Sequence, residues 1–269
     1  MKTIIYIFWI FAVLYALICI IVYIKQESFL FYPQKTNKKI ENAIFKKYTK
    51  LEKINTLSGI SWYFLPRYHD GNSTNLKPII IYFWWNAEEI SDIFLFAEKI
   101  SDYSIISFNY RWYWDSKWTI SKSIFDDLDE IYSYTEHRFP NTKKTLLWRS
   151  IWTAMASYLR SKYNLTLVLL TPFDRINNLA KQKFPFLPIN LLLKYDFDNI
   201  KNINSNTSLE KIIIFISEND EVIEPRFAQN LFEKINSSNK TKIILKWALH
   251  NNVLSNNQFW EDLNLNLSK

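Results

Sequence analysis

The sequence predicts an α/β fold: a mostly parallel, eight-stranded sheet with helices on both faces, preceded by one transmembrane helix. Three observations predict it. From Pro78 onward, short β-branched runs alternate with helical patterns, the signature of parallel strands joined by crossover helices. Those runs are almost continuously apolar, as strands covered on both faces are. At the N-terminus, Ile4 to Ile24 gives 21 residues without a charge, about the length that crosses a ~30 Å hydrocarbon layer.

Lys2 and Lys25 bracket that first run. It exceeds the ~7–15 apolar residues of a secretory signal core, and no small-x-small cleavage site follows it. Cys19 lies inside, but Ile18 before it is too large for a lipoprotein cleavage site. We therefore expect an uncleaved anchor over residues 1–24, partnered with the lipid bilayer through residues 4–24, and one domain over 25–269. Lys25, Lys35, Lys38 and Lys39 outweigh Lys2, which leans toward a cytoplasmic domain. Next come two early strands, Ile44 to Ile54 and Gly59 to Phe64, and a polar turn at Asp70 to Asn75. The regular part has strands at Ile79–Phe83, Ser104–Phe108, Thr145–Leu147, Thr166–Leu170, Lys211–Ile216 and Lys242–Leu245. Helical patterns fill Ala87–Ile100, Ile120–His137, Ile151–Lys162 and Pro225–Ile235. Residues 173–208 interrupt the alternation, with Pro185, Pro188 and the apolar Leu191 to Leu193; we read them as a small lid.

Ser150 sits between a strand end and a helix start, in Leu147-Trp148-Arg149-Ser150-Ile151-Trp152. That is the place of a nucleophile elbow, whose pattern is G-x-S-x-G. Both glycine positions are tryptophan. The chain has 2 glycines and 11 tryptophans in 269 residues, where roughly 19 glycines would be ordinary. Trp84, Trp85, Trp112, Trp114, Trp118, Trp148, Trp152 and Trp247 all stand on turns after strands, where glycine has a mechanical reason. We expect these eight to be glycine in the natural protein. Some bacteria read the UGA codon as glycine and others as tryptophan, and translation with the second code would produce this chain. UGG codons at Trp148 and Trp152 would rule this out. Trp62 and Trp260, each beside an aromatic in an apolar stretch, read as true tryptophans.

Functional groups in such sheets collect at the carboxyl ends of the strands. Three candidates land there in the order Ser, Asp, His: Ser150, Asp220 in Glu218-Asn219-Asp220-Glu221, and His250 in Trp247-Ala248-Leu249-His250. A serine hydroxyl is a weak nucleophile until an imidazole takes its proton, and a carboxylate fixes that imidazole's tautomer. Of the other two histidines, His69 lies in a polar loop and His137 ends a helix; both read as surface residues. Glu218, Glu221 and Glu224 compete with Asp220 by proximity, and Asp174 reads as a helix cap at the lid. An oxyanion hole needs two backbone N–H donors. Ile151, after the nucleophile, supplies one, and Asn86, after strand Ile79–Phe83, is our choice for the other.

One cysteine leaves no disulfide framework or thiol metal site. There is no histidine cluster or separate phosphate-binding loop, so no metal or cofactor is expected. The net charge of +7 is spread along the chain, without a nucleic-acid motif. Phe31-Tyr32-Pro33, Asn86-Ala87, Tyr110-Arg111-x-Tyr113-x-Asp115-Ser116, the Ser150 elbow, Asp220-Glu221-Val222-Ile223 and His250 together resemble the membrane-anchored branch of the α/β-hydrolase superfamily. Two departures stand out: Trp84 occupies the position of a frequent His, and Leu249 that of the Gly beside the histidine. The resemblance implies the α/β-hydrolase fold and a serine hydrolase acting on an ester, thioester or amide of a small-molecule or acylated substrate. A catalytically inactive, membrane-anchored hydrolase-like scaffold or binding protein is the alternative if the tryptophans are literal.

Overall fold

A computed structural model of the chain describes residues 1–31, 37–55, 59–70, 75–83, 91–108 and 124–268. Helix α1 runs from Lys2 to Leu30, 29 residues or about 43 Å. It is apolar enough to cross a membrane, with a mean hydropathy of 2.9 and no part of its apolar window buried.

Eight strands form one sheet in the order β1-β2-β4-β3-β5-β6-β7-β8. They are β1 (Glu52–Asn55), β2 (Ser61–Leu65), β3 (Ile79–Phe83), β4 (Ser104–Phe108), β5 (Lys144–Arg149), β6 (Thr166–Leu170), β7 (Ile212–Ser217) and β8 (Lys240–Leu245). β1 and β2 pair antiparallel, as do β2 and β4; from β4 through β3 to β8 every pairing is parallel. β2 through β7 are buried along their whole length, which is why their sequences do not alternate. Neighbouring side chains on β2 show the two helical layers. Trp62 packs edge-on to Tyr134 of α3 (Ile124–Arg138), while Tyr63 meets Phe94 of the 3₁₀ helix Asp92–Ile100. Successive strand residues face opposite sides, so these helices cover opposite faces. α4 (Thr153–Lys162), α7 (Asn199–Asn204) and α8 (Pro225–Lys234) continue the α3 layer, and α9 (Asn257–Leu267) packs on the 3₁₀ helix.

One early expectation is corrected. Ile44 to Ile54 is not a strand: helix α2 covers Lys38–Lys47, and only Glu52–Asn55 is extended. Asn37 caps α2 by accepting from the Lys39 and Ile40 N–H groups, and Ile40, Ile44 and Tyr48 recur at the helical spacing of four. Of the pattern Ala87–Ile100, Asp92–Ile100 is a 3₁₀ helix, and 84–90 lie outside the described residues.

Glu41 of α2 is nearly buried. Burial alone would raise its carboxyl; hydrogen bonds from Lys38, Lys53 and Tyr63 outweigh this and hold it at about 2, against an ordinary 4.5. A depressed carboxylate stabilises the fold above its unfolded pKa and loses that contribution as pH falls through its folded one. Glu41→Gln is therefore expected to cost on the order of 2 kcal/mol at neutral pH, discounted because Lys38 is exposed. The gap to the parent should close between pH 4.5 and about 2. Urea melts across that range check it, and a constant gap would refute it.

The segment between β6 and β7 holds α5 (Ile176–Lys183), α6 (Ile189–Leu192) and α7. It lies along the end of α1. Gln26 donates to the Leu192 carbonyl at 3.0 Å and accepts from the Lys194 N–H at 2.9 Å. Tyr195 donates to Glu27 at 3.0 Å, and Phe31 stacks on Trp152 with ring centroids 5.5 Å apart.

Candidate active site

β5 ends at Arg149, and the chain turns at once into one 3₁₀ turn, Ser150–Trp152, and then α4. Ser150 sits on that turn with φ of 58°. A non-glycine residue in the left-handed region is strained, by about 1–2 kcal/mol. Its backbone is held from below: Thr153 Oγ1 donates to the Ser150 carbonyl at 2.6 Å, and Ser157 and Asn199 extend the buried network.

The structure brings Ser150, His250 and Asp220 together. His250 Nε2 lies 3.0 Å from Ser150 Oγ, and His250 Nδ1 lies 2.7 Å from Asp220 Oδ2. All three are buried, His250 completely. Asp220 Oδ1 also accepts from the Val222 and Ile223 N–H groups at 2.9 and 2.7 Å, so the carboxylate is aimed by its own turn. The loops after β7 and β8 are tied by Asn219 N–H to the Ala248 carbonyl and by His250 N–H to Glu221 Oε2. A hydroxyl, an imidazole and a carboxylate in this order can move a proton off the hydroxyl and stabilise the resulting imidazolium.

The other sequence candidates fall as follows. Ile151 follows Ser150 on the turn, where its N–H can serve an oxyanion. Asn86 lies outside the described residues, as do Trp84, Trp85, Trp112, Trp114 and Trp118. His69 and His137 are exposed. Asp174 is buried but taken up by the Arg175 N–H, Asn178 and Asn230 rather than by His250. It thus holds the start of α5 without being its cap residue. Of the competing acids, Glu218 accepts from the Trp247 N–H and Glu221 from the His250 N–H, so both brace the histidine loop through its backbone. Arg149 was not anticipated. Its buried guanidinium donates to the His250 carbonyl, pinning the histidine loop to β5. The available signal was an arginine directly after the apolar run Leu146-Leu147-Trp148.

Of the three described tryptophans expected on turns, Trp148 lies within β5 instead, Trp152 closes the 3₁₀ turn and Trp247 stands after β8. Trp148 is fully buried, its ring centroid 3.9 Å from that of Phe83, and its Nε1 has no hydrogen-bond partner among the described residues. A buried polar group left so costs about 1–3 kcal/mol. Trp152 is fully buried against Phe31. Trp247 has φ of 59° and is 82% exposed, a left-handed backbone with little packing in return. Trp247→Gly is expected to stabilise the protein by about 1 kcal/mol, raising Tm by roughly 2–4 °C; a lower Tm in a thermal melt would refute the glycine assignment there. Trp62 shares the unpartnered Nε1 among the described residues but stacks on Phe108, and Trp260 donates to the Leu254 carbonyl at 2.7 Å, so packing and not the lone Nε1 separates these core tryptophans from Trp148.

No protein-family model matches the chain. An uncharacterized membrane protein of Saccharomyces cerevisiae is 27% identical over 165 residues, which is 59% of this chain and 58% of that protein's length. Among solved structures, an esterase of Pyrococcus furiosus superposes with a TM-score of 0.62 at 14% identity, covering 89% of this chain and 97% of that one. Est1E from Butyrivibrio proteoclasticus gives 0.57 at 9% identity, covering 82% and 100%. With a strand order in which β4 lies between β2 and β3 and the rest follow in sequence, these likenesses establish the architecture: the chain has the α/β-hydrolase fold, with a long apolar helix at its N-terminus.

Proposed function

We propose that the protein is a membrane-anchored serine hydrolase that cleaves an ester, thioester or amide bond through an acyl-enzyme on Ser150. The observation that carries the reading is the unbroken relay from Ser150 Oγ through His250 to Asp220, with the serine on a strained left-handed turn. Ser150 attacks the carbonyl carbon while His250 takes its proton, and the oxyanion is held by backbone N–H groups at Ile151 and Asn86. His250 then returns the proton to the leaving group; water, deprotonated by the same imidazole, releases the acid. The likeness to esterases supports ester chemistry in general and does not choose a substrate.

Anchoring is part of the same proposal. The last turn of α1 is bonded into the lid by Gln26 and Glu27, so cleavage after residue 24 would separate these contacts from the helix that carries them. The yeast relative's description as a membrane protein agrees. Carbonate extraction that released the full-length chain from membranes would overturn it.

The buried rings of Trp148 and Trp152 favour a second reading, an inactive anchored scaffold, for the chain with literal tryptophans. Fluorophosphonate labelling decides between them. The chain carrying Trp→Gly at the eight positions is expected to label, and Ser150→Ala in that background to lose the label. Labelling that survives Ser150→Ala removes the nucleophile, and no labelling in the glycine background favours the scaffold.

A further inference from the structure

The lid segment reaches along α1 well past the charged end of that helix. Lys194 Nζ lies 4.6 Å from the Tyr23 ring centroid, and Phe184 and Phe29 have centroids 6.2 Å apart. The tip goes further: Tyr15 Oη donates to the Phe186 carbonyl at 2.8 Å. Tyr15 is near the middle of the uncharged run Ile4 to Ile24, eight residues before Tyr23 and ten before Lys25. At 1.5 Å per residue those steps are about 12 and 15 Å of helix. Whatever medium surrounds the middle of α1 therefore surrounds the tip of the lid.

The tip is made for an apolar medium. Phe186 is 88% exposed and Leu191 82%, and both lie within a few residues of the backbone bonded to Tyr15. In water this pair would leave large apolar side chains uncovered beside an equally uncovered helix. Exposed Lys181, Lys183 and Lys194 flank the tip in sequence, and Lys194 sits at the level of Tyr23, where an aromatic residue and a cation suit a headgroup layer. Between tip and helix lies an apolar cleft of about 60 Å³, lined by Val22, Leu30, Ala180, Phe184 and Leu192 among others. Leu30 of its wall is one residue before Phe31, which lies against position 152 of the Ser150 turn.

We infer that the lid tip, residues 184–191, is immersed in the bilayer that α1 enters, with the three lysines at its anionic headgroups. The cleft between tip and helix then receives the acyl chain of a substrate drawn from that bilayer. This rests on the anchored-hydrolase reading and narrows its substrate to acyl lipids or acylated membrane proteins.

The full chain in vesicles of phosphatidylcholine and phosphatidylserine tests immersion without requiring activity. In a Cys19→Ala background, a nitroxide at Phe186→Cys should collide with oxygen more than with a water-soluble nickel chelate. A nitroxide at Lys201→Cys, an exposed position on α7, should show the reverse. Leu14→Cys reports the anchor. Shelter at Leu14 with free chelate access at Phe186 overturns the lid inference alone; chelate access at Leu14 overturns it together with the anchor. A Phe186 label shielded from both reagents identifies a second copy of the chain on the tip and also overturns it. The cleft is tested with short- and long-chain alkyl fluorophosphonates in the eight-glycine background. Ala180→Trp or Leu192→Trp should slow long-chain labelling about tenfold and leave short-chain labelling unchanged. Equal effects on both chains overturn the acyl-chain assignment, and failure of both probes before either substitution overturns the hydrolase reading instead.

Discussion

In the eight-glycine background, His250→Ala is expected to lower kcat/KM on a p-nitrophenyl ester by about a millionfold. Without the imidazole the hydroxyl attacks with its proton still on, and nothing returns a proton to the leaving group. In serine hydrolases built on such a relay, losing the histidine costs about as much as losing the serine, because the groups act as a unit. The remaining rate, roughly 10³–10⁴ above water, would come from backbone donors and binding. His69→Ala and His137→Ala are the internal controls, since both residues are exposed whereas the relay is buried. A His250→Ala variant within tenfold of its parent would remove the mechanism proposed for this site.

Asp220→Asn is expected to cost about 10⁴-fold in kcat. The asparagine fills the same volume, and its oxygen can still accept from Val222 and Ile223. The amide can meet His250 Nδ1 with its NH₂, which turns the imidazole to the wrong tautomer and places a proton on the nitrogen facing Ser150. It also carries no charge to steady the imidazolium. Glu221→Gln is the discriminating comparison: its carboxylate meets the His250 backbone N–H rather than the ring, so the loss should be far smaller. A larger loss from Glu221→Gln than from Asp220→Asn would reassign the acid.

The parallel half of the sheet was legible because runs such as Ile79–Phe83 and Ile212–Ser217 are buried from end to end, and burial on both faces writes itself as continuous β-branched sequence. α2 was hidden for the opposite reason. It is short and lysine-rich, and its two buried positions, Glu41 and Ile44, do not outweigh the apolar residues that follow in β1. α9 was missed as well, although Phe259, Trp260 and Leu263 are all buried; their spacing is helical, but the surrounding asparagines weaken the pattern. At the site, Ser150, Asp220 and His250 were legible because each follows a strand. Arg149, Thr153 and Asn199 were not. They act through backbone carbonyls and buried hydrogen bonds, which depend on which loops meet in space and leave no spacing in sequence.

The bonds of Gln26 and Glu27 to the lid give the proposed enzyme a ruler. Both residues lie within two positions of Lys25, and neither contact needs a ring at position 152. With the end of α1 clamped to the lid in this way, the nucleophile rides at a set height over the membrane. Scissile bonds lying near the lipid surface come within its stroke, while those carried high on a bulky soluble domain stay out of range. The rate then follows how densely substrate populates the plane of the membrane, and adding more of it to the surrounding water matters only as far as it partitions into that plane.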